Sequence, residues 1–236
     1  MDDGISVFNS TIQSLYDQAA QRMFQPTPIV MKETALILID IQESIRANHY
    51  RHVIGGMGID TDPFEPIFQM MDFQLNQTLG NIQRLIAQCR KNDIPVIHTI
   101  IESYFTDARD IGRLHAAAGM ASPPGSPDSQ ILSEVAPVPG EVILKKTCSG
   151  IVTGTPIDRI LRNMGIKQVI VAGFYTDQCI STSVRDLADL GYFVTIPEDA
   201  VGALSPERHD NAMQSLRGIY AYTERTDALL NRISKT

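Results

Sequence analysis

The sequence predicts an α/β fold: three layers, with helices on both faces of a six-stranded, mainly parallel sheet, and a helical extension ahead of it. Three observations predict this. Short runs of apolar, β-branched residues alternate with stretches of helical periodicity. The runs are apolar at consecutive positions, as in strands covered on both faces. The 236 residues fall within the range of a single large domain. The expected boundaries are a helical extension over residues 1–33 and the α/β domain over residues 34–236.

Phe8, Ile12, Leu15, Ala19 and Met23 recur at steps of four, three, four and four, which predicts a helix over residues 5–24 that ends at Gln25-Pro26-Thr27-Pro28. The run Ala35–Ile39, closed by Asp40, reads as the first strand. A helix over Ile67–Arg90 leads to a second strand within Ile94–Ile101. Glu141–Lys146 reads as a third strand, Pro156–Asn163 as a helix stopped by Met164-Gly165, and Gln168–Ala172 as a fourth strand. Residues 179–190 read as a helix closed by Gly191, and Tyr192–Ile196 as a fifth strand. Pro206–Leu216 is then a helix, Ile219–Tyr222 a sixth strand and Asp227–Ile233 a last helix. Two segments read as long loops, Ala47–Pro66 with Gly55-Gly56-Met57-Gly58, and Tyr104–Ser129 with Ser122-Pro123-Pro124-Gly125-Ser126-Pro127. Loops of that length in compact domains commonly act as lids or partner contacts.

Composition narrows the function. Lys and Arg number 20 against 27 Asp and Glu, a net charge of −7, and no basic cluster offers a footprint for phosphate backbones. Nucleic acid is therefore not an expected partner. The apolar runs are far short of the ~20 residues that span a bilayer, so no membrane association is expected. Met1 is followed by Asp2 and Asp3 rather than by a cationic stretch and an apolar core, which predicts a cytoplasmic protein. The three cysteines, Cys89, Cys148 and Cys179, are odd in number and lack CxxC spacing, which argues against a disulfide framework and a structural zinc site.

Parallel sheets bind ligands beyond the carboxyl ends of their strands, so residues there carry the functional expectation. Asp40 ends the first strand and is either a helix N-cap or a site group. Lys146 ends the third, where a lysine is otherwise a solvated terminus. Cys179 follows the fourth strand through Gly173-Phe-Tyr-Thr-Asp-Gln and opens a helix, whose dipole favours a thiolate. Cys89, among Leu85, Ile86 and Ala87, reads as core, and Cys148, beside Lys145 and Lys146, is a second candidate thiol. None of His49, His52, His98, His115 and His209 lies in a recognisable Cys/His signature, so the base is expected to be a carboxylate.

Taken together, these residues resemble the cysteine hydrolases of the isochorismatase-like superfamily over about residues 34–223. Asp40-Ile-Gln-Glu-Ser-Ile45 resembles the family's Asp-x-Gln-x-x-Phe, with Ile45 in place of the aromatic residue. Lys146, with Thr155 nine residues on, resembles the family's lysine and its following apolar helix start. Gly173 to Cys179 resembles the nucleophile turn, and Glu198-Asp199-Ala200 with His209 the element after the fifth strand. Lys145 is a rival for the lysine, and Cys148-Ser-Gly-Ile stands where the family has Ser-[Ala/Gly]-Phe; counting from Gly140 and back from Thr155 favours Lys146.

The resemblance implies a Rossmann-like three-layer fold and an Asp40, Lys146 and Cys179 triad. In it Asp40 takes the thiol proton, Lys146 supports the thiolate and a thioester forms. It also implies a cis Phe174–Tyr175 peptide, with the backbone N–H groups of Tyr175 and Cys179 as an oxyanion hole. The implied activity is that of the amidohydrolase branch, similar to ureidoacrylate, biuret and N-carbamoyl amidohydrolases, acting on a small amide, ureido or carbamoyl substrate. A metal-binding branch carries Asp-x-His after the first strand; His49 and His52 stand there without that pattern, so neither metal nor cofactor is expected. Gln42, Tyr104, Phe105 and Tyr175 are candidate substrate contacts. The alternatives are a vinyl-ether hydrolase of the isochorismatase type, which does not rely on the cysteine, and a non-catalytic assembly protein. A homo-oligomer, dimer or tetramer, is expected, with the helix over residues 5–24 at the subunit contact.

Overall fold

Strand β1 (Thr34–Ile39) buries all six of its side chains, because it runs through the middle of a parallel sheet. In a computed structural model describing residues 8, 11–16, 18–19, 25–117, 119 and 121–235, the sheet is completed by β2 (Val96–Ile101), β3 (Val142–Lys146), β4 (Gln168–Phe174), β5 (Phe193–Pro197), β6 (Val201–Gly202) and β7 (Tyr222–Glu224). Its order is β3-β2-β1-β4-β5-β7, with β6 paired to the end of β4 and every pairing parallel. The helices are α1 (Ala47–Gly56), α2 (Glu65–Lys91), α3 (Arg113–Ala117), α4 (Ile151–Gly154), α5 (Ile157–Asn163), α6 (Ser181–Asp189), α7 (Pro206–Leu216) and α8 (Thr226–Ser234).

Successive strand residues point to opposite faces, and β1 divides accordingly. Ala35, Ile37 and Ile39 join a core with Leu161 of α5, Val184 and Leu187 of α6, and Met213 and Leu216 of α7. Leu36 and Leu38 join a second core with Ile82, Leu85 and Ile86 of α2 and Leu229 and Ile233 of α8. Each such aliphatic side chain contributes about 1.5–3 kcal/mol on burial. The three layers follow from that division.

Strands β1 to β5 stand within a few residues of their sequence expectations. The next does not: residues 217–221 form a tight turn, with Gly218 N–H donating to the Ala221 carbonyl at 3.0 Å, and β7 begins only at Tyr222. The two-residue β6 is a further strand, too short to carry a periodicity. The expected loop over Ala47–Pro66 is corrected, since its first half is α1. Its glycines misled the reading because they fall in the last helical turn, where glycine is tolerated, and Gly58 at φ 78° then reverses the chain. Among its described residues Tyr104–Ser129 is mostly irregular, as expected, with the short α3 and a single 3₁₀ turn inside it. Of the helix expected over residues 5–24, residue 8 and residues 11–16 and 18–19 are helical and the remainder lies outside the described residues. No helix among the described residues is long and apolar enough to cross a membrane.

The chain leaves β1 toward β2 on one side and β4 on the other, so strand order reverses between β1 and β4 and a crevice opens at their carboxyl ends. Ile39 and Gly173 are register partners at that point. Gly173 has φ 123°, and a Cβ there would stand 2.1 Å from the Ile39 carbonyl oxygen, so glycine alone lets the two strand ends close up.

Candidate active site

Three strand ends deliver three side chains to the crevice. Asp40 follows β1 with φ 54°, a left-handed conformation that aspartate tolerates better than most residues, and its N–H donates to the Thr99 carbonyl of β2 at 3.0 Å. Lys146 ends β3, an edge strand whose alternation sends neighbouring lysines to opposite sides. The Lys145 side chain is 42% exposed and pairs with Glu102, whereas that of Lys146 is 0% exposed. Cys179 lies in a π-helical turn, Thr176–Ile180, between β4 and α6.

Lys146 Nζ donates to Asp40 Oδ2 at 2.7 Å, to the Cys148 carbonyl at 3.1 Å and to Cys179 Sγ at 3.5 Å, which occupies all three ammonium protons. Burial alone lowers a lysine pKa, yet that of Lys146 is raised, because the negative charges available on Asp40 and Cys179 outweigh the desolvation. The Cys179 thiol is pushed up, first by burial and then by the Asp40 carboxylate, with Lys146 pulling the other way. Burial and the Asp40 carboxylate thus act against the thiolate that a helix dipole favours, and the Lys146 ammonium acts for it. Asp40 Oδ1 is buried with no hydrogen-bond partner among the described residues, so one carboxylate oxygen in the cluster is open to a proton. Moving the thiol proton to Asp40 leaves the net charge of the three groups unchanged, a condition that a buried site favours.

The turn that carries Cys179 is braced. Gln178 N–H and Ile180 N–H both donate to the Tyr175 carbonyl, at 3.0 and 3.2 Å. Thr176 Oγ1 meets His209 Nδ1 at 3.0 Å, Asp177 pairs with Arg208, and Ser183 Oγ donates to the Cys179 carbonyl at 2.6 Å. The Phe174–Tyr175 bond is cis. The Tyr175 hydroxyl lies 2.6 Å from that of Tyr50, which ties the turn to α1.

Other sequence candidates are placed differently. Gln42 donates to the Ile101 and Ser129 carbonyls and accepts from Ile101 N–H, so its amide clamps the ends of two segments and has no free donor for a substrate. Tyr104 is exposed and its hydroxyl donates to the Lys145 carbonyl; Phe105, also exposed, lies under the Arg109 guanidinium at 4.2 Å. Cys148 Sγ donates to the Gly150 carbonyl, while Cys89 is buried in the core and pushed up to about 12 by desolvation. Glu198 pairs with Arg217, and Asp199 accepts from Thr226, so both brace the loop after β5. His49 pairs with Asp128, and among the described residues no group of three or more His, Cys, Asp or Glu side chains is arranged to hold a metal ion.

Sequence reasoning passed over His115. It is buried in α3, and α3 is held to the strand end by Gly112 N–H donating to the Thr147 carbonyl at 3.0 Å, one residue beyond Lys146. Burial, and then the Lys146 cation, hold its pKa below the usual imidazole value, against the pull of the Asp40 charge. The chain separation from 115 to 146 left no local motif to reveal this.

A test follows for the lysine. Lys146→Met removes the cation that holds the thiol pKa down, so the pH at which Cys179 reacts with iodoacetamide should rise and turnover should fall by about 10²-fold or more. Lys145→Gln should leave that pH where the wild type has it. The reverse pattern, read by mass spectrometry of the Cys179 peptide across pH, would assign the wrong lysine.

Comparison with known proteins agrees with this architecture. Residues 34–228 match the isochorismatase domain model. The fold is similar to that of a cysteine hydrolase from Pseudomonas syringae pv. phaseolicola, at 21% identity and TM-score 0.73 over 90% of this chain and 99% of that one. It is similar to an isochorismatase family protein from Desulfovibrio vulgaris, at 23% identity and TM-score 0.69 over 86% and 98%. It is also similar to N-carbamoylsarcosine amidase from Thermoplasma acidophilum, at 24% identity and TM-score 0.61 over 83% and 97%. With most of its length matched by that one domain model and its fold shared with these hydrolases, the chain belongs to the isochorismatase family.

Proposed function

We propose that the chain is a cysteine hydrolase that cleaves a C–N bond of a small amide, ureido or carbamoyl compound through a thioester. One observation carries the reading: Lys146 Nζ stands 2.7 Å from Asp40 Oδ2 and 3.5 Å from Cys179 Sγ in a cluster nearly closed to solvent. The free Asp40 Oδ1 accepts the Cys179 proton, and the thiolate, held by Lys146, attacks the substrate's planar carbonyl carbon. The carbonyl π electrons move to oxygen, where the N–H groups of Tyr175 and Cys179 receive the developing charge. As the C=O re-forms, the C–N bond breaks and the protonated Asp40 gives its proton to the leaving nitrogen. Water then adds to the thioester, loses a proton to Asp40, and the acid departs as that proton returns to sulfur. The resemblance of the fold to an N-carbamoyl amidase supports nitrogen as the leaving atom.

Because Lys146 supplies the positive charge beside the nucleophile, chelation should leave activity intact. A panel of N-carbamoylglycine, biuret and malonamate should give ammonia with at least one member, undiminished after dialysis against EDTA and abolished in Cys179→Ser. Recovery of a chelated enzyme only with zinc would contradict this mechanism. So would hydrolysis of isochorismate that survives Cys179→Ala, which would favour vinyl-ether cleavage.

We further propose that the protein assembles as a homo-oligomer. On α2 and the turn before it, Phe64, Ile67, Met70 and Phe73 recur every third residue and are 45–58% exposed, an apolar stripe that a lone protomer leaves in water. Phe8, Ile12 and Leu15 are exposed likewise. Light scattering at micromolar concentration should give a dimer or tetramer whose mass falls on deletion of residues 1–24; a monomer unaltered by that deletion would contradict the assembly.

A further inference from the structure

We propose that Ser183 is a positioning residue for the nucleophile: its hydroxyl ties the loop that follows Lys146 to the carbonyl of Cys179 and so sets the spacing between the Lys146 ammonium and the Cys179 sulfur. This rests on the cysteine-hydrolase reading above and deepens it with a residue outside the Asp40, Lys146 and Cys179 set.

The need for such a tie comes from the order of the sheet. Lys146 ends β3 and Cys179 follows β4, yet β2 and β1 stand between those two strands. Three strand spacings put β3 and β4 about 14 Å apart, so no ladder bond sets one end against the other. Asp40 has no such difficulty, because β1 pairs directly with β4. The Lys146 side chain crosses part of the gap, and its ammonium then bonds two different segments at once, the Cys148 carbonyl at 3.1 Å and Cys179 Sγ at 3.5 Å. A drift of one segment against the other lengthens one of those bonds. The two must be held together by something other than the sheet.

Ser183 lies in the first turn of α6, fully buried. Its Oγ donates to the Cys179 carbonyl at 2.6 Å and accepts from Ile151 N–H at 3.2 Å. The first bond is the local one that a helical serine commonly makes to the carbonyl four residues earlier. The second is not local, since Ile151 opens α4 in the loop that follows Lys146 and Cys148. The bonds close a ring, from Lys146 Nζ to the Cys148 carbonyl, along the chain to Ile151, through Ser183 Oγ to Cys179 and back through Sγ to Nζ. The seat of the loop agrees with this. A Cβ at Gly150 would stand 3.1 Å from Thr182 Cγ2 and 3.2 Å from Asp186 Oδ2, so a residue without one lets the loop lie close against α6. Gly154 N–H donates to the Gly150 carbonyl at 3.2 Å and Thr155 Oγ1 to the Ile151 carbonyl at 2.7 Å, which holds the α4 turn and its Ile151 N–H in place.

The consequence for the chemistry runs through Lys146. Its ammonium favours thiolate over thiol at Cys179, and that attraction falls with distance. Without the Ser183 hydroxyl, the buried Ile151 N–H and the Cys179 carbonyl lose the partner they share, and each segment shifts to satisfy its own group. The sulfur then stands further from the ammonium although every charged group of the cluster is still present.

The experiment follows alkylation of Cys179 by iodoacetamide across pH, read by peptide mass spectrometry, in wild type, Ser183→Ala, Ser183→Thr, Lys146→Met and the double variant Lys146→Met with Ser183→Ala. Ser183→Ala removes one buried atom and should keep the fold, which thermal melting checks for each variant. It should raise the pH at which Cys179 reacts, slow alkylation several-fold at a fixed pH and lower turnover of a panel amide by about tenfold or more, mainly in kcat. Ser183→Thr, which keeps the hydroxyl, should restore both towards wild type. In the Lys146→Met background the same serine change should alter alkylation by less than about twofold, because the path through the ammonium is already gone. An undiminished loss in the double variant, a Ser183→Ala profile that matches wild type, or a folded Ser183→Thr as slow as Ser183→Ala would overturn the role of Ser183 while leaving the hydrolase reading in place. A wild type that releases ammonia from no panel member would overturn the reading of the reaction, and the alkylation cycle, which needs no substrate, would still decide whether Ser183 sets the spacing.

Discussion

The Lys146 ammonium is fully buried, and much of the site is arranged around satisfying it. A buried charge is tolerated only when its protons are matched by acceptors and its charge by a counter-charge. The three acceptors come from three places in the chain, Asp40 after β1, the Cys148 carbonyl after β3 and Cys179 after β4. One cation therefore fixes the mutual positions of three strand ends. The close approach of β1 to β4 at Gly173 lets it do so, since a side chain there would meet the Ile39 carbonyl. Removing either partner would leave the other charged and buried, which is the costly outcome, so structure and chemistry are linked through the same pair.

In the proposed mechanism that arrangement also lets a thiol with a raised pKa serve as a nucleophile. The thiolate need not exist at rest, because the acceptor for its proton is beside it and Lys146 offsets the charge on whichever group carries it. The surrounding bonds add rigidity rather than charge. The π-helical turn is held on one side by His209 and Arg208 of α7 and on the other by Tyr50 of α1 through Tyr175, so the backbone around Cys179 is braced from both flanks. Preorganisation of this kind lets backbone N–H groups stabilise developing charge without reorganising during the reaction.

Much of this was legible in the sequence, and the reasons differ from residue to residue. Strands β1, β2 and β4 could be read because both faces are covered, which makes their apolar runs continuous, and Asp40 and Lys146 stood out as charges at strand ends. The choice between Lys145 and Lys146 is physical in origin: strand alternation leaves the Lys145 side chain partly in solvent, paired with Glu102, and turns that of Lys146 into the crevice. The helix α1 was missed because Gly55 and Gly56 fall at its end, where they cost little, rather than in its interior. Gln42 was legible as a polar residue near the site but not as a clamp, because its partners at Ile101 and Ser129 are 59 and 87 residues away. The burial of His115 was illegible for the same reason, since it depends on the anchoring of α3 at Thr147, 35 residues from Gly112. Local pattern reports on elements; contacts made by loops depend on tertiary bonds that no spacing rule encodes.

The account's central claim is that the Cys179 proton passes to Asp40 so that sulfur attacks the substrate carbonyl and forms a thioester. Rapid acid quench of a turning-over mixture, followed by intact-protein and peptide mass spectrometry, tests it most directly. The account predicts an acyl adduct on the Cys179 peptide of the wild-type chain and its loss in Asp40→Asn, whose amide cannot accept the proton. Turnover with no adduct, an adduct on Cys148 instead, or acylation of Asp40→Asn at the wild-type rate would contradict it.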